Sequence, residues 1–136
     1  MQYWLVKTEP EEYSFDDLIR DKEAMWDGIR NYQARNYLKQ MKKDDQVLVY
    51  HTGESKEIVG VAKVVSEYYA DPSDKTGTWV VIKLAPVKQF RSPFNLTRIK
   101  KEKSLSNLPL LKQQRLSVMP LGKLEFDFIV KGSESE

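Results

Sequence analysis

Residues 58–69 read IVGVAKVVSEYY, and residues 78–90 read TWVVIKLAPVKQF. Runs this rich in β-branched and aromatic residues predict two long strands, joined by a loop at residues 71–77. Successive side chains of a strand point to opposite faces, and valines here fall on both faces. Burial of both faces predicts a closed or covered sheet, as in a barrel. Gly60 lies inside the first strand, which indicates a bulge or the close approach of another backbone.

Shorter elements surround these two strands. Three further strands are predicted at Tyr3–Lys7, Gln46–His51 and Arg115–Met119. Four short helices are predicted: one opened by Ser14 in a capping-box pattern with Asp17, one starting near Asn31, one over Leu96–Lys101 capped by Asn95, and one from about Gly122 to Val130. Their apolar faces are formed by Phe15, Leu18 and Ile19, by Ala34, Tyr37, Leu38 and Met41, and by Leu124 and Phe128. Residues 26–30 are predicted as a loop. The sum is an α+β fold, a barrel-like sheet of about five to six strands flanked by short helices.

Composition limits the classes of function that the chain can have. Its 136 residues fit one domain, assigned to residues 1–131, and the polar, acidic segment 132–136 is expected to be disordered. The sequence has no cysteine and a single histidine, His51. Disulfides, thiolate nucleophiles and zinc sites of sulfur or several histidines are therefore excluded, and no metal or cofactor is expected. Neither a membrane-span pattern nor a signal-peptide pattern is present, so a cytoplasmic chain is expected.

Charge is distributed unevenly along the chain, although the formal net charge is only +2. Residues 1–27 hold eight acidic and three basic side chains. Residues 28–43 hold five basic side chains, and residues 91–115 hold seven against Glu102 alone. Two basic stretches in a nearly neutral chain can attract phosphates, although such runs are usually just solvated faces. The candidates for nucleic-acid backbone contacts are Arg35, Lys39, Arg91, Arg98, Lys100, Lys101 and Arg115.

Residues 26–36 form an eleven-residue signature, WDGIRNYQARN. The same order along the chain contains YWLVKTEP at 3–10, VYH at 49–51, IVGVA at 58–62, PLL at 109–111 and RLSVMPL at 115–121. Together these motifs resemble the EVE domain family from Tyr3 to about Ile129, which is nearly the whole chain.

The resemblance implies a PUA-like fold, a β-barrel flanked by helices, related to YTH and ASCH domains. It also implies a module that binds DNA or RNA and recognises a modified base, such as modified cytosine in DNA. Relatives of the same fold read modified adenine in RNA or bind structured RNA. A stand-alone bacterial domain is favoured, with a monomer as the expected oligomeric state.

A module that holds one base needs a flat apolar wall, polar groups for the base edge and cations for the backbone. Trp26 is the first candidate for the wall, since it lies in a polar loop beside Gly28. Trp79, which opens a strand after a loop, is the second candidate. A place in the core is the alternative for both side chains. Trp4 alternates with Val6 and is expected in the core, where its indole N–H needs a partner.

Three polar candidates lie around the start of the second helix. Arg30 is placed to hold a phosphate or the base edge, because backbone N–H groups at a helix start favour anions. Asn31 either caps the helix or contacts the base. Tyr32 either lines the pocket or only packs.

Three further candidates lie at strand ends. His51 is expected to be neutral and to form a hydrogen bond with a base or with a backbone carbonyl. Lys7 either contacts phosphate or pairs with a carboxylate. Ser117 either donates to a ligand or is an ordinary satisfied strand hydroxyl.

Two departures from the family pattern bear on specificity. Met119 stands where many members of the family carry Gln, so a hydrogen bond to the base is missing if that position contacts it. The loop at 71–77 is shorter than in many relatives, which would reduce a pocket wall or a strand contact.

Three functions remain open from the sequence. The first is a non-enzymatic reader of a modified nucleobase, whose affinity falls with salt and depends on Trp26. The second is an enzyme acting on a nucleobase, in which Lys7 with Glu9, or Asp27 with His51, would do acid–base work. Against an enzyme stand the missing phosphate loop and the missing zinc ligands of a deaminase. The third is an adaptor whose pocket binds a small ligand or a peptide.

Overall fold

The fold is α+β, as predicted, and the computed structural model describes residues 1–134. The strands are β1 (Tyr3–Thr8), β2 (Ala24–Trp26), β3 (Gln46–His51), β4 (Glu57–Ala70), β5 (Val80–Asn95) and β6 (Val118–Leu121). The helices are α1 (Phe15–Asp21), α2 (Tyr32–Gln40), α3 (Leu96–Lys101), α4 (Pro109–Lys112) and α5 (Lys123–Glu134), with a 3₁₀ turn at Lys103–Leu105.

All six strands belong to one mixed sheet in the order β2-β5-β4-β3-β1-β6. The pair β1–β3 is parallel and the other four pairs are antiparallel. Because β2 and β6 stand at opposite edges, the sheet is open, and the predicted barrel closure is corrected. Helices α1, α2, α3 and α5 pack against β5, so residues on both faces of the central strands are buried without closure.

Gly60 shows why the long strands can lie so close to α1. A Cβ atom at this position would stand 2.6 Å from Cζ of Phe15 and 2.7 Å from the backbone oxygen of Lys88 on β5. The pairing register between β4 and β5 also shifts next to Gly60. The predicted close approach of another backbone is therefore confirmed, together with an irregularity in the ladder.

The core also contains one polar anchor, Asp45. Its carboxylate is 3% exposed at the residue level and accepts hydrogen bonds from the indole N–H of Trp4 at 3.0 Å and from the backbone N–H groups of Gln2 and Lys42. Trp4 itself is 1% exposed, so its prediction as a core residue with a partnered N–H is confirmed. Three donors on one buried carboxylate satisfy the requirement that buried charge be hydrogen-bonded.

Several local predictions are wrong. Trp26 ends strand β2, paired with β5 through Ile82, rather than lying in a loop. The strand predicted from Arg115 starts only at Val118, and the one predicted from Thr78 starts at Val80. The predicted core residues Ile19, Leu124 and Phe128 are exposed by 42%, 86% and 38%. These helices are short and contact the sheet along a narrow stripe, so the helical period overstates their buried face.

The end of the chain is helical further than expected. Helix α5 continues to Glu134, and Ser133 is fully buried, with its hydroxyl donating to the backbone oxygen of Val130 at 2.6 Å. Gly132 lies against Phe94 and the guanidinium of Arg98. Residues 132–134 are therefore not a disordered tail, because tertiary packing overrides their polar composition; residues 135–136 lie outside the described residues.

Candidate nucleobase cleft and its surroundings

A cleft of about 390 Å³ lies beside the carboxyl end of β1. We call it the Trp26 cleft. It is lined by Lys7, Thr8, Glu9, Glu12, Tyr13, Met25, Trp26, Asp27 and Ile29. Its volume is within the roughly 300–1,000 Å³ typical of small-ligand sites. Of the predicted base-binding residues, the structure brings only Trp26 and Lys7 together here.

The local chain geometry explains why these residues meet. Trp26 and Asp27 follow β2 at the sheet edge, and Gly28 then adopts φ +76°, a left-handed conformation that glycine allows without steric cost. On the opposite side the chain leaves β1 at Thr8, whose hydroxyl donates to the backbone oxygen of Tyr13 at 2.7 Å. Both segments therefore present their side chains to the same opening.

Two aromatic rings form perpendicular walls of the cleft. The rings of Tyr13 and Trp26 are 6.1 Å apart at 85°, an edge-to-face contact. The Tyr13 hydroxyl donates to the Asp21 carboxylate at 2.8 Å, and burial together with that carboxylate raises the pKa of Tyr13 to about 12. Trp26 is only 7% exposed, so its indole is also part of the core and offers a ligand a limited area.

The charge in this cleft is mainly negative. Glu9, Glu12 and Asp27 line it, against the single ammonium of Lys7. Lys7 donates to the backbone oxygen of Gln114 at 2.7 Å, and burial lowers the pKa of its ammonium below its ordinary value. The predicted pairing of Lys7 with a carboxylate is therefore not seen, since its printed partner is a carbonyl. Carboxylates accept hydrogen bonds from amino groups, whereas they repel phosphates.

The predicted residues Arg30, Tyr32 and Trp79 lie together, but not in the Trp26 cleft. The rings of Tyr32 and Trp79 are 4.9 Å apart, and the guanidinium of Arg30 lies 5.7 Å from the Trp79 ring centroid. Arg30 also donates to the fully buried carboxylate of Asp71 at 3.0 Å. This guanidinium therefore holds the 71–77 loop and is not a free phosphate ligand.

Asp71 and Asp74 organise that loop. Asp71 accepts from the N–H and hydroxyl of Ser73, and these contacts with Arg30 keep its pKa below the ordinary value despite burial. Asp74 accepts from the hydroxyl of Thr76 and from three backbone N–H groups, which lowers its pKa to about 2. The short loop is thus a closed hydrogen-bonded turn that fixes Trp79 from below.

Asn31 and His51 both serve the backbone of a helix. Asn31 caps α2, its side-chain oxygen accepting from the N–H of Ala34 at 2.9 Å, which selects the capping alternative. Nε2 of His51 accepts from the N–H of Phe15 at 3.1 Å at the start of α1. Burial lowers the pKa of His51, against the smaller opposing effect of Asp16 and Glu9, so the ring is neutral at pH 7. A hydrogen bond to backbone was expected for His51, but with a carbonyl rather than with an N–H.

Two further positions lie outside the cleft. Met119 is completely buried on β6 opposite Leu5, so a side chain at this position packs in the core. Ser117 precedes β6, and its backbone oxygen accepts from the N–H of Lys7 at 2.9 Å. Neither residue lines the Trp26 cleft.

The cations predicted to contact nucleic-acid backbone are mostly engaged within the chain. Arg35 lies over the Tyr32 ring at 5.0 Å, and Arg98 lies over the Phe94 ring at 4.1 Å. Lys39 lies 5.8 Å from the Tyr68 ring centroid. Arg91, Lys101 and Arg115 are exposed, and Lys100 lines a second cleft.

That second cleft, of about 290 Å³, adjoins the first because Lys7 lines both. We call it the lysine cleft; it is lined by Lys7, Tyr50, Thr52, Gly53, Lys56, Leu96, Lys100, Leu110, Leu111 and Gln114. Sequence reasoning missed Glu9, Glu12, Tyr13 and Asp27 in the first cleft and Lys56 in the second. The motif at residues 3–10 already contained Glu9, but the acidic cluster became visible only once β1 and β2 were placed side by side.

Residues 1–134 contain no group of three or more histidine, cysteine, aspartate or glutamate side chains placed to hold a metal ion. Within the same range, no helix combines the length and the apolar character needed to cross a membrane.

An open six-stranded mixed sheet with short helices and a cleft at the end of β1 places the chain in the PUA-like class. An ASCH protein from Zymomonas mobilis shares this fold, with a TM-score of 0.59 and 16% identity over 96% of this chain and 98% of that chain. More particularly, the chain belongs to the EVE domain family, which matches residues 2–132.

Two relatives share much more of the sequence. Thymocyte nuclear protein 1 of Mus musculus is 34% identical over 168 residues, covering 98% of this chain and 74% of the mouse protein. The crystal structure of human THYN1 in complex with DNA containing 5-methylcytosine superposes with a TM-score of 0.92 at 31% identity, covering 100% of this chain and 99% of that chain.

Proposed function

We propose that this chain is a non-enzymatic nucleic-acid-binding module that holds a 5-methylcytosine-type base in the Trp26 cleft. The observation that carries the proposal is the lining of the cleft, in which two perpendicular aromatic rings face Glu9, Glu12 and Asp27. Human THYN1, of the same family, is seen with DNA containing 5-methylcytosine, which supports this class of ligand. RNA carrying a modified base is the alternative strand, and the experiment below includes it.

The chemistry of the lining favours a base with an exocyclic amine. An acidic side chain accepts a hydrogen bond from the N4 amino group of cytosine. Thymine carries a carbonyl oxygen at the same place, which a carboxylate repels. Apolar surface of Trp26, Tyr13 and Ile29 is available to a methyl group at C5, and burial of one such carbon contributes about 0.8 kcal/mol. The cleft therefore discriminates by binding alone.

The geometry gives little support to catalysis. His51, which the enzyme alternative needed, is absent from the lining of the cleft, and its Nε2 is occupied by the N–H of Phe15. Lys7 is held by the backbone oxygen of Gln114. A pairing of Asp27 with His51 for acid–base work therefore has no geometric basis in this arrangement.

The test compares strands that differ at one position: cytosine, 5-methylcytosine, 5-hydroxymethylcytosine and thymine in DNA, with N6-methyladenine in DNA and RNA. Affinity is measured by fluorescence polarisation at two salt concentrations. Thymine and 5-methylcytosine both carry the methyl group, so their ratio isolates the amine. We expect 5-methylcytosine to bind about fourfold more tightly than cytosine, from roughly 0.8 kcal/mol of methyl burial. Against thymine we expect a preference worth about 1–3 kcal/mol, the usual cost of a wrong base.

The decisive variant combines Glu12→Gln with Asp27→Asn. Both side chains are exposed at the cleft, and neither has a hydrogen bond or ion pair within residues 1–134, so the fold should survive. The variant should lose the preference over thymine and keep the preference over cytosine. Glu11→Gln with Glu54→Gln is the control, with the same change in charge at exposed positions outside the cleft. Equal binding of all strands by the unaltered chain would refute the proposed function.

A further inference from the structure

The lysine cleft carries a charge opposite to that of the Trp26 cleft beside it. Lys7, Lys56 and Lys100 line it, and no aspartate or glutamate does. The nearest carboxylate with a contact at its rim is that of Glu9, which accepts from the Thr52 hydroxyl at 3.2 Å and lines the Trp26 cleft. Three cations without an acid in one concave surface raise the local concentration of anions.

Two of these lysines have no competing partner. Lys56 and Lys100 are exposed, and neither ammonium forms an ion pair or hydrogen bond within the described residues 1–134. Most other cations on the predicted list are held by an aromatic ring or a carbonyl, as Arg35 and Arg98 are. The free ammonium groups are therefore concentrated at this cleft.

The fold, rather than chance, brings these groups together. Lys56 has φ +46°, a left-handed conformation that is uncommon for a residue with a side chain and has an energetic cost. Its backbone oxygen accepts from the N–H of Leu96 at 2.8 Å, which fixes the turn before β4 against the start of α3. Lys100 then lies one helical turn further on, facing the same cleft.

The floor of the cleft adds a hydroxyl donor. Tyr50 is 5% exposed, and its hydroxyl has no hydrogen-bond partner in the described part of the chain. Since no buried side-chain oxygen or nitrogen there lacks a partner, this hydroxyl is open to the cleft. Burial raises the pKa of Tyr50, so the group stays protonated and can donate. Ammonium and hydroxyl donors in one cavity are the ligands that phosphate oxygens accept.

We propose that the lysine cleft binds a backbone phosphate of the strand whose modified base occupies the Trp26 cleft. The inference rests on the proposed function for the neighbouring base, and Lys7 is the element common to the two sites. The acidic cleft repels phosphate and accepts a base amine, whereas the lysine cleft does the reverse. The two clefts together therefore fix which part of a nucleotide enters each of them.

The test combines Lys56→Gln with Lys100→Gln, and the control combines Lys101→Gln with Lys103→Gln, which changes the charge equally at exposed neighbours outside the cleft. Affinity for cytosine and 5-methylcytosine strands is measured against salt. The cleft variant should weaken both strands by one common factor and reduce the slope of log affinity against log salt by about 1 for each phosphate lost. The control variant should leave the slope unchanged.

A second arm locates the phosphate by replacing single phosphates near the modified base with neutral methylphosphonates. One position should weaken the unaltered chain, and the same replacement should cost the cleft variant nothing further. Equal behaviour of cleft and control variants overturns the inference. If the cleft variant loses the binding of inorganic phosphate but keeps strand affinity, the site takes a free anion and the strand assignment is wrong.

The two proposals fail separately. Loss of the common factor and slope in a chain that binds all bases equally supports the phosphate site and refutes base recognition. A 5-methylcytosine preference that persists, with no effect of the cleft variant, refutes the phosphate site alone. An unaltered chain that binds no strand at low salt refutes both.

Discussion

Shortening the side chain of Trp26 separates its two roles, as a wall for the base and as part of the core. Removing an aromatic that contacts a base costs about 1–3 kcal/mol of binding. Only 7% of Trp26 is exposed, so the available area places its share at the lower end. We therefore expect Trp26→Phe to weaken binding of the 5-methylcytosine strand by no more than about fivefold, from about 1 kcal/mol.

Truncation to alanine acts mainly on stability. A buried tryptophan replaced by alanine usually costs about 3–5 kcal/mol, against a total stability of about 5–15 kcal/mol for a domain. Urea denaturation of Trp26→Ala should show that loss, so its binding must be measured where the variant is still folded. Trp79→Phe is the matched control, because Trp79 lies outside the cleft, and its affinity should not change. A folded Trp26→Ala variant with unchanged affinity for the modified strand would refute the role of this wall.

Three further changes test the surrounding structure. Gly60→Ala should cost about 1–3 kcal/mol or more in urea denaturation, because its Cβ would overlap Phe15 and a β5 carbonyl; a neutral effect would show that the strand can shift. The pKa of His51 is lowered from 6.5, so the unfolded chain takes up its proton first, and the free energy of unfolding should fall as the pH drops below 6.5; His51→Gln should flatten this dependence, and an unchanged profile would contradict it. Arg30→Gln removes a charged hydrogen bond to buried Asp71 but from a side chain that is 41% exposed, so a loss of about 1–2 kcal/mol is expected in the same assay; no loss would show that the serine contacts of Asp71 suffice.

The sequence predicted the strands and helices well wherever local chemistry decides them. The capping box at Ser14 and Asp17 and the cap at Asn31 were both readable, because such caps act over three residues. The burial of Trp4 followed from alternation along β1. Openness of the sheet was not readable, since valines on both faces are equally consistent with closure and with cover by helices.

The candidate site was only partly predictable, because it depends on contacts between distant segments. Trp26 and Lys7 were named and lie in one cleft. Arg30 and Trp79 were named on residue type and position near a helix start, but a buried aspartate 41 residues away from Arg30 draws its guanidinium to the other loop. No local pattern reveals that partner, nor the turn that brings Lys56 beside Lys100.

The two outermost strands also affect how this chain behaves among copies of itself. An unpaired strand edge presents free N–H and C=O groups to which another chain can add. Here β2 has only three residues, and β6 has four with Pro120 among them, which lacks an N–H. An intruding strand would find almost no ladder to extend at either edge. The open sheet is thereby protected against edge-to-edge aggregation without the closure that a barrel would provide.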